Sequence, residues 1–224
     1  MTFSLVGRCA RTAMLGMVVT SSSPAVAARC AWARAGVGAV ATQNVTDPSL
    51  GPWILDLMAG GRSAADALAE VVTRAPHIEY RQLAVVDAQG TTASYSGART
   101  LGRHGRASGK DCLAAGNLLA GEMVTAAMVR AFEQRPRDHL ADRLLDALRA
   151  GAAAGGEEGP VRSCGLLVVD QVAWPVTDLR VDWHHDPVTE LARLWALWRP
   201  QEAEYVQRAL DPAAAPSYRV PGDE

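Results

Sequence analysis

Lysine is almost missing from this chain: Lys110 is the only lysine among 22 basic residues. A mechanism that needs a lysine beside its nucleophile therefore has one candidate in the whole sequence. Charge of one sign is also lacking. The formal net charge is −2, with no block of like charge. That argues against nucleic acid or an anionic membrane as partner, because both attract a basic patch. No run of about 18 apolar residues occurs, so no transmembrane helix is expected. The four cysteines, Cys9, Cys30, Cys112 and Cys164, include no CxxC pair. In a chain this long they make no disulfide framework and read as buried free thiols of a cytosolic protein. No internal repeat, low-complexity linker or cofactor motif is present, and neither a cofactor nor a metal is expected.

One N-terminal pattern needs a decision. Arg8 and Arg11 precede an apolar stretch from Ala13 to Val19, and Ala25-Val26-Ala27 follows, which is the layout of a secretory signal. The stretch is short, Gly16 interrupts it, and polar Thr20-Ser21-Ser22-Ser23 comes next. A strand ending in a loop accounts for the same residues, so a cytoplasmic protein is expected.

What is present is a globular composition, 49% hydrophobic, in a chain long enough for one sizeable core. One domain over 1–210 with an irregular tail over 211–224 is expected. Thr2 to Gly7, Gly16 to Ser21 and Val37 to Gln43 read as strands, apolar nearly throughout and hence buried on both faces. Helices follow from Pro52 to Met58 and from Ala64 to Thr73, the second with Ser63 as N-cap. Arg81 to Asp87 and Thr91 to Tyr95 read as a hairpin across Ala88-Gln89-Gly90. Gly97 to Lys110 reads as a loop and Cys112 to Asn117 as a strand. Helices are expected over Gly121 to Gln134, with Met123, Ala127 and Phe132 inward, and over Leu140 to Ala150. Gly151 to Gly159 reads as small and flexible. Cys164 to Asp170 and Leu179 to Trp183 read as the last strands. Asp186-Pro187 caps a final helix running through Leu191, Leu194, Leu197 and Trp198. Helices come in pairs between hairpins, which suits an α+β sheet-on-sheet core covered by helices better than a doubly wound sheet.

Several stretches carry a family resemblance: Met1-Thr2-Phe3-Ser4, Trp32 to Gln43 (WARAGVGAVATQ), Arg81 to Gly90 (RQLAVVDAQG), Ala114 to Gly121 (AAGNLLAG), and Asp178 to Asp182 with Asp186-Pro187. Together, from Thr2 to about Arg199, they resemble the family called domain of unknown function 1028. That family is grouped with the N-terminal-nucleophile (Ntn) hydrolases, so the resemblance implies a four-layer αββα sandwich. It implies fold more strongly than substrate.

With that resemblance, Thr2 is the catalytic candidate. Removing Met1 exposes the Thr2 α-amine, which titrates near pH 8 and accepts the hydroxyl proton. A hydroxyl with its own amine as base is a complete nucleophile. Proteasome-like relatives place a lysine nearby. Lys110, in a late loop, is a poor candidate, so either the mechanism dispenses with that lysine, or Arg34 is the local cation, or the site is not proteasome-like. Asn117, between a strand and a helix, offers an amide to an oxyanion or caps a turn. Gly116 and Gly121 would permit close backbone approach. Arg34 either binds a substrate carboxylate or makes a surface ion pair. Gln43 and Asn44 flank the same strand. Glu79 and Arg81 form a polar pair at the site mouth or an ordinary ion pair. Ser22 or Ser23 is expected to bond the α-amine, and Arg162-Ser163 is a weaker choice. His184-His185 with Asp182 and Asp186 read as a strand-to-helix turn rather than a metal site, because adjacent strand residues face opposite ways. Trp195 and Trp198 make one apolar stripe, which would mark a homo-oligomer contact if exposed.

Three functions fit. The first is an Ntn-type hydrolase cleaving an amide or related C–N bond in a small molecule. The second is a non-catalytic protein on the same fold that binds a metabolite or partner. The third is an imine or enamine hydrolase without a covalent intermediate.

Overall fold

A computed structural model describes residues 1–222, and its strands form two antiparallel sheets. β1 (Thr2–Arg8) and β2 (Leu15–Ser21) are a hairpin in which Thr2 opposes Ser21. After a short α1 (Ala27–Cys30) come β3 (Ala31–Arg34) and β4 (Gly38–Asn44). The helix pair is α2 (Leu50–Ala59) and α3 (Ala64–Arg74), and β5 (Arg81–Asp87) and β6 (Thr92–Ser96) form the next hairpin. β7 (Gly105–Gly109), β8 (Cys112–Asn117), α4 (Val124–Gln134) and α5 (Leu140–Ala153) follow. β9 (Ser163–Val169), β10 (Thr177–Val181), α6 (Pro187–Trp198) and α7 (Glu202–Leu210) complete the chain. The first sheet runs β10-β9-β2-β1-β8-β7 and the second β3-β4-β5-β6. The chain is thus mixed α+β.

Side-chain alternation assigns each strand two jobs. In β1, Phe3 and Leu5 face a cluster shared with Met128, Phe132, Leu144 and Leu148 of α4 and α5. Val6 faces the other way, into a cluster with Met17 and Val19 of β2 and Ala39, Ala41, Ala84 and Val86 of the second sheet. The alanines let the two sheets approach. Val40, Leu83 and Val85 point outward again, onto Ile54, Leu55, Leu68 and Val71 of α2 and α3. Both faces of the central strands are therefore buried, which is why their sequences read as unbroken apolar runs.

Four expectations needed correction. Residues 97–110 are not all loop: β7 pairs with β8, so tertiary pairing overrides its Gly- and Arg-rich composition. α4 begins at Val124, and Met123 is 56% exposed. Phe132 faces the core, and counting back three, four and eight positions gives Val129, Met128 and Val124, whereas nine positions reach the opposite face. Residues 151–159 are anchored, because α5 runs to Ala153 and Glu157 bridges to Leu119. α6 is not the last helix. Arg208 of α7 bonds the carbonyls of Pro216 and Ser217, so the tail folds back against it.

The N-caps read from sequence are present: Ser63 accepts from Asp66 N–H and Asp186 from Thr189 N–H. All four cysteines are free and buried. Among the described residues, no helix is long and apolar enough to cross a membrane.

Candidate active site

Register builds the site. Thr2 opens β1 between Ser21 of β2 and Asn117 of β8, and Ser21 in turn opposes Ser163 of β9. Opposed residues in antiparallel strands face the same side. That side is fixed by Val6, Met17, Leu113 and Leu167, which lie between the sheets on the same alternation. Ser163, Ser21, Thr2 and Asn117 therefore form a polar row across four adjacent strands, at one end of the gap between the sheets. All four are buried.

The Thr2 hydroxyl donates to the Met1 carbonyl oxygen at 2.6 Å and lies 3.3 Å from Ser21 Oγ. Ser21 Oγ also donates to the Met1 carbonyl and accepts from the Ser23 N–H at 3.1 Å. The residue beside Thr2 is thus Ser21. Ser23 contributes only backbone, its carbonyl accepting from Ser163 Oγ at 2.6 Å, and Ser163 also accepts from Val26 N–H. Arg162 donates its N–H to the Ser21 carbonyl, while its guanidinium sits over Trp183.

Behind Thr2 an amide network joins the sheets. Ser4 Oγ donates to Gln43 Oε1 at 2.6 Å, and Gln43 Nε2 to Gln82 Oε1 at 2.8 Å. Gln82 Nε2 donates to the Gly116 carbonyl at 3.0 Å and to Ser96 Oγ at 3.1 Å. A carbonyl only accepts, so the Gly116 contact fixes which end of the Gln82 amide is which. Gln82 Oε1 then receives Asn117 Nδ2 at 3.1 Å. This leaves Asn117 Oδ1 buried with no partner. One Asn117 N–H is committed to Gln82 and the other is available to a ligand oxygen. Leu118 follows at φ 49, a strained position for a leucine, directly after the site. Gly116 has the close approach expected of it: a Cβ would meet Leu119 at 2.6 Å and Phe3 at 3.1 Å. Gly121 does not, its nearest atom lying at 3.7 Å.

Glu157 is the unforeseen member. It is 5% exposed, and neither carboxylate oxygen has a hydrogen-bond partner. Burial pushes its carboxyl up to about 7, against the pull of the Met1 α-ammonium and of Ser22. Ser22 thus faces this carboxylate, not the Thr2 hydroxyl. Cys30 also feels the Met1 amine, but burial dominates and pushes its thiol up to about 11, so it is no thiolate at neutral pH.

Other candidates lie elsewhere or are occupied. Arg34 pairs with Asp56 at 2.7 Å, beside the Gly38 end of β4. Five residues of strand, roughly 17 Å at ~3.3 Å each, separate that end from Gln43. Arg34 is therefore not the local cation. Lys110 lies by the Arg8 end of β1, the far end from Thr2. Asn44, at φ 74, bonds the Tyr80 carbonyl and the Leu101 N–H, clamping β4 to its neighbours. Arg81 donates to the Val45 carbonyl at 2.5 Å, and no ion pair with Glu79 forms. His184 and His185 lie beyond the end of β10, their rings 4.2 Å apart and tilted, so the opposite-faces reasoning does not apply to them. The His184 ring engages the backbone of Asp186. Trp195 is buried and bonds Asp142, and Trp198 bonds the Val176 carbonyl, so this stripe is core.

The profile of a family of unknown function, DUF1028, matches residues 2–191, starting at the residue that opens β1. The chain belongs to the DUF1028 family. A crystal structure of a DUF1028 protein from Silicibacter pomeroyi superimposes with a TM-score of 0.84 at 26% identity, covering 92% of this chain and 90% of that one. Anbu (ancestral beta-subunit) from Yersinia bercovieri gives a TM-score of 0.36 at 10% identity, over 92% and 97% of the chains, a likeness too loose to decide anything. No curated protein matches. The DUF1028 assignment agrees with the family read from the sequence, and assigns no activity.

Sequence reasoning missed Ser21, Ser4, Gln82 and Glu157. The hairpin register carried the signal for Ser21, since it is the last residue of the strand opposite Thr2. Gln82 stood inside RQLAVVD as the one uncharged polar residue in an apolar run. Glu157, in a glycine-rich stretch, carried none.

Proposed function

We propose that the two packed sheets and their covering helices are an Ntn-type αββα sandwich, and that Thr2, once freed of Met1, is the nucleophile of a hydrolase acting on an amide or related C–N bond. The observation that carries this reading is the position of the Thr2 hydroxyl. It stands at the first residue of an interior strand, flanked by Ser21 and Asn117, 2.6 Å from a carbonyl oxygen. A carbonyl group within reach of the Thr2 hydroxyl supports a nucleophile's position for Thr2.

In the reaction, the Thr2 Oγ attacks the amide carbon while the α-amine takes the hydroxyl proton. The free N–H of Asn117 lies on the same row to receive the oxyanion. The proton passes from the ammonium to the leaving nitrogen, the C–N bond breaks, and an ester on Oγ remains. Water, deprotonated by the same amine, cleaves the ester to a carboxylic acid. No lysine takes part, so the amine alone is the base.

The test is Thr2→Ala beside wild type, each with its intact mass checked for loss of Met1. Turnover of small amides should fall by about 10³-fold or more, with unfolding free energy changed by less than about 1.5 kcal/mol. Equal turnover by the two proteins sinks the proposal. Turnover that survives in Thr2→Ala, without an electrophilic adduct on wild-type Thr2, selects the imine reading instead. A wild-type mass that retains Met1, without turnover, selects the binding protein.

A further inference from the structure

Met1 fills the space in front of Thr2, Ser21 and Gly159. Its carbonyl takes hydrogen bonds from Thr2 Oγ1 and Ser21 Oγ. Its side chain rests on the bare backbone of Gly159, where a Cβ would meet Met1 Cε at 2.9 Å and Sδ at 3.5 Å. Two residues before Gly159 stands Glu157, a carboxylate 95% buried whose oxygens meet no partner at hydrogen-bond geometry, with the Ser22 hydroxyl and N–H near enough only to draw its pKa down. Among the described residues, the Met1 α-ammonium is the one charged group whose field acts on it. The bond from Met1 to Thr2 is like a substrate amide in connectivity. If Thr2 Oγ attacked the Met1 carbonyl, the C–N bond would break, the hydroxyl proton would pass to the freed Thr2 amine, and methionine would sit as an ester on Oγ. That ester is identical to the acyl-enzyme formed from any methionyl amide.

We propose that Glu157 and Gly159 form the acyl-side pocket of this site, and that the pocket takes an α-aminoacyl group with a free ammonium and an unbranched apolar side chain. The inference rests on the nucleophile reading of Thr2 and names its substrate class. A buried carboxylate without a partner is costly, and a ligand ammonium is the group that satisfies it. The bare Gly159 backbone leaves room for a long thin side chain that a Cβ there would obstruct. Once Met1 has left, both features face the volume it filled.

Binding, not turnover, tests this. The protein is made as Thr2→Ala, released from an N-terminal fusion by cleavage immediately before residue 2, and titrated by calorimetry with L-methionine and with N-acetyl-L-methionine. L-Methionine should bind at least about tenfold tighter, a difference of one hydrogen-bonded charge pair. Adding Glu157→Gln should erase that preference. Adding Gly159→Ala should weaken L-methionine about fivefold and leave L-alanine unchanged. A further readout on the unsubstituted pocket guards against misfolding of the variants: L-methionine affinity should rise with pH as the Glu157 carboxyl, held by burial above its ordinary range, ionises. Equal affinity for the two ligands, no affinity for either, or a preference that survives Glu157→Gln overturns the proposal. Because no turnover is read, these results stand apart from failure of the hydrolase reading, which shows as absent amide cleavage by wild type.

Discussion

Gln82 makes four hydrogen bonds, two within its own sheet to Gln43 and Ser96 and two across the gap to Asn117 and the Gly116 carbonyl. It is fully buried. Replacing it with Leu leaves two amide N–H groups and one backbone carbonyl unsatisfied in a dry space, each costing about 1–3 kcal/mol. Some relaxation is expected, so Gln82→Leu should lower unfolding free energy by about 3 kcal/mol, read from urea denaturation. It should also free Asn117 to rotate, and so lower turnover more than binding. A loss below about 1 kcal/mol would show that the network contributes little. The same residue marks how far sequence carried the site. Thr2, Asn117 and Gln43 were legible because they end strands or flank them in a familiar motif. Arg34 failed because a charge on a strand end says nothing about which end of the sheet holds the site. Glu157 was invisible because it is held by pairing with Leu119, far away in sequence, which no local pattern encodes.

Elements were easier to read than their faces. β5 and β8 matched their expected bounds at both ends, since buried strands are continuous apolar runs closed by turn residues. α4 shows the limit. Its inward face was assigned from Met123, but the helix starts one residue later and turns Val124, Met128, Val129 and Phe132 to the core. Apolar character alone cannot separate a residue before the first turn from one within it. The distinction is measurable. Phe132→Ala should cost about 3–5 kcal/mol, because its ring fills the space between α4, α5 and β1 and leaves a cavity. Met123→Ala should change stability by no more than about 0.5 kcal/mol. A large loss at Met123 would place α4 in the register first read from sequence. β7 was missed for a different reason: residues 105–109 become a strand by pairing with β8, an interaction its own composition does not announce.

For the molecule as a whole, the buried carboxylate sets a dependence on pH. The Glu157 carboxyl moves from its ordinary value of 4.5 to about 7 on folding, with burial as the cause. Between those values the native state holds a proton that the unfolded chain has released. Stability therefore falls as pH rises from about 4.5 to about 7, and is flat above. At ~1.4 kcal/mol per pK difference, the loss is of the order of 3 kcal/mol. Asp170, raised by burial and then by Glu202, acts in the same direction. Urea unfolding across this range should show the decline in wild type. Glu157→Gln should flatten most of it and match wild type near pH 4, while exceeding it at pH 8 by about 3 kcal/mol. A wild-type curve that rises over the same interval would contradict this account of Glu157. The sign also bears on function. A fold that loses stability as this carboxylate ionises regains it when a cation enters beside it. L-Methionine at 100 times its Kd should raise stability by about 2.7 kcal/mol at pH 8, and by less at pH 5, where the carboxyl is already neutral and has no need of a partner.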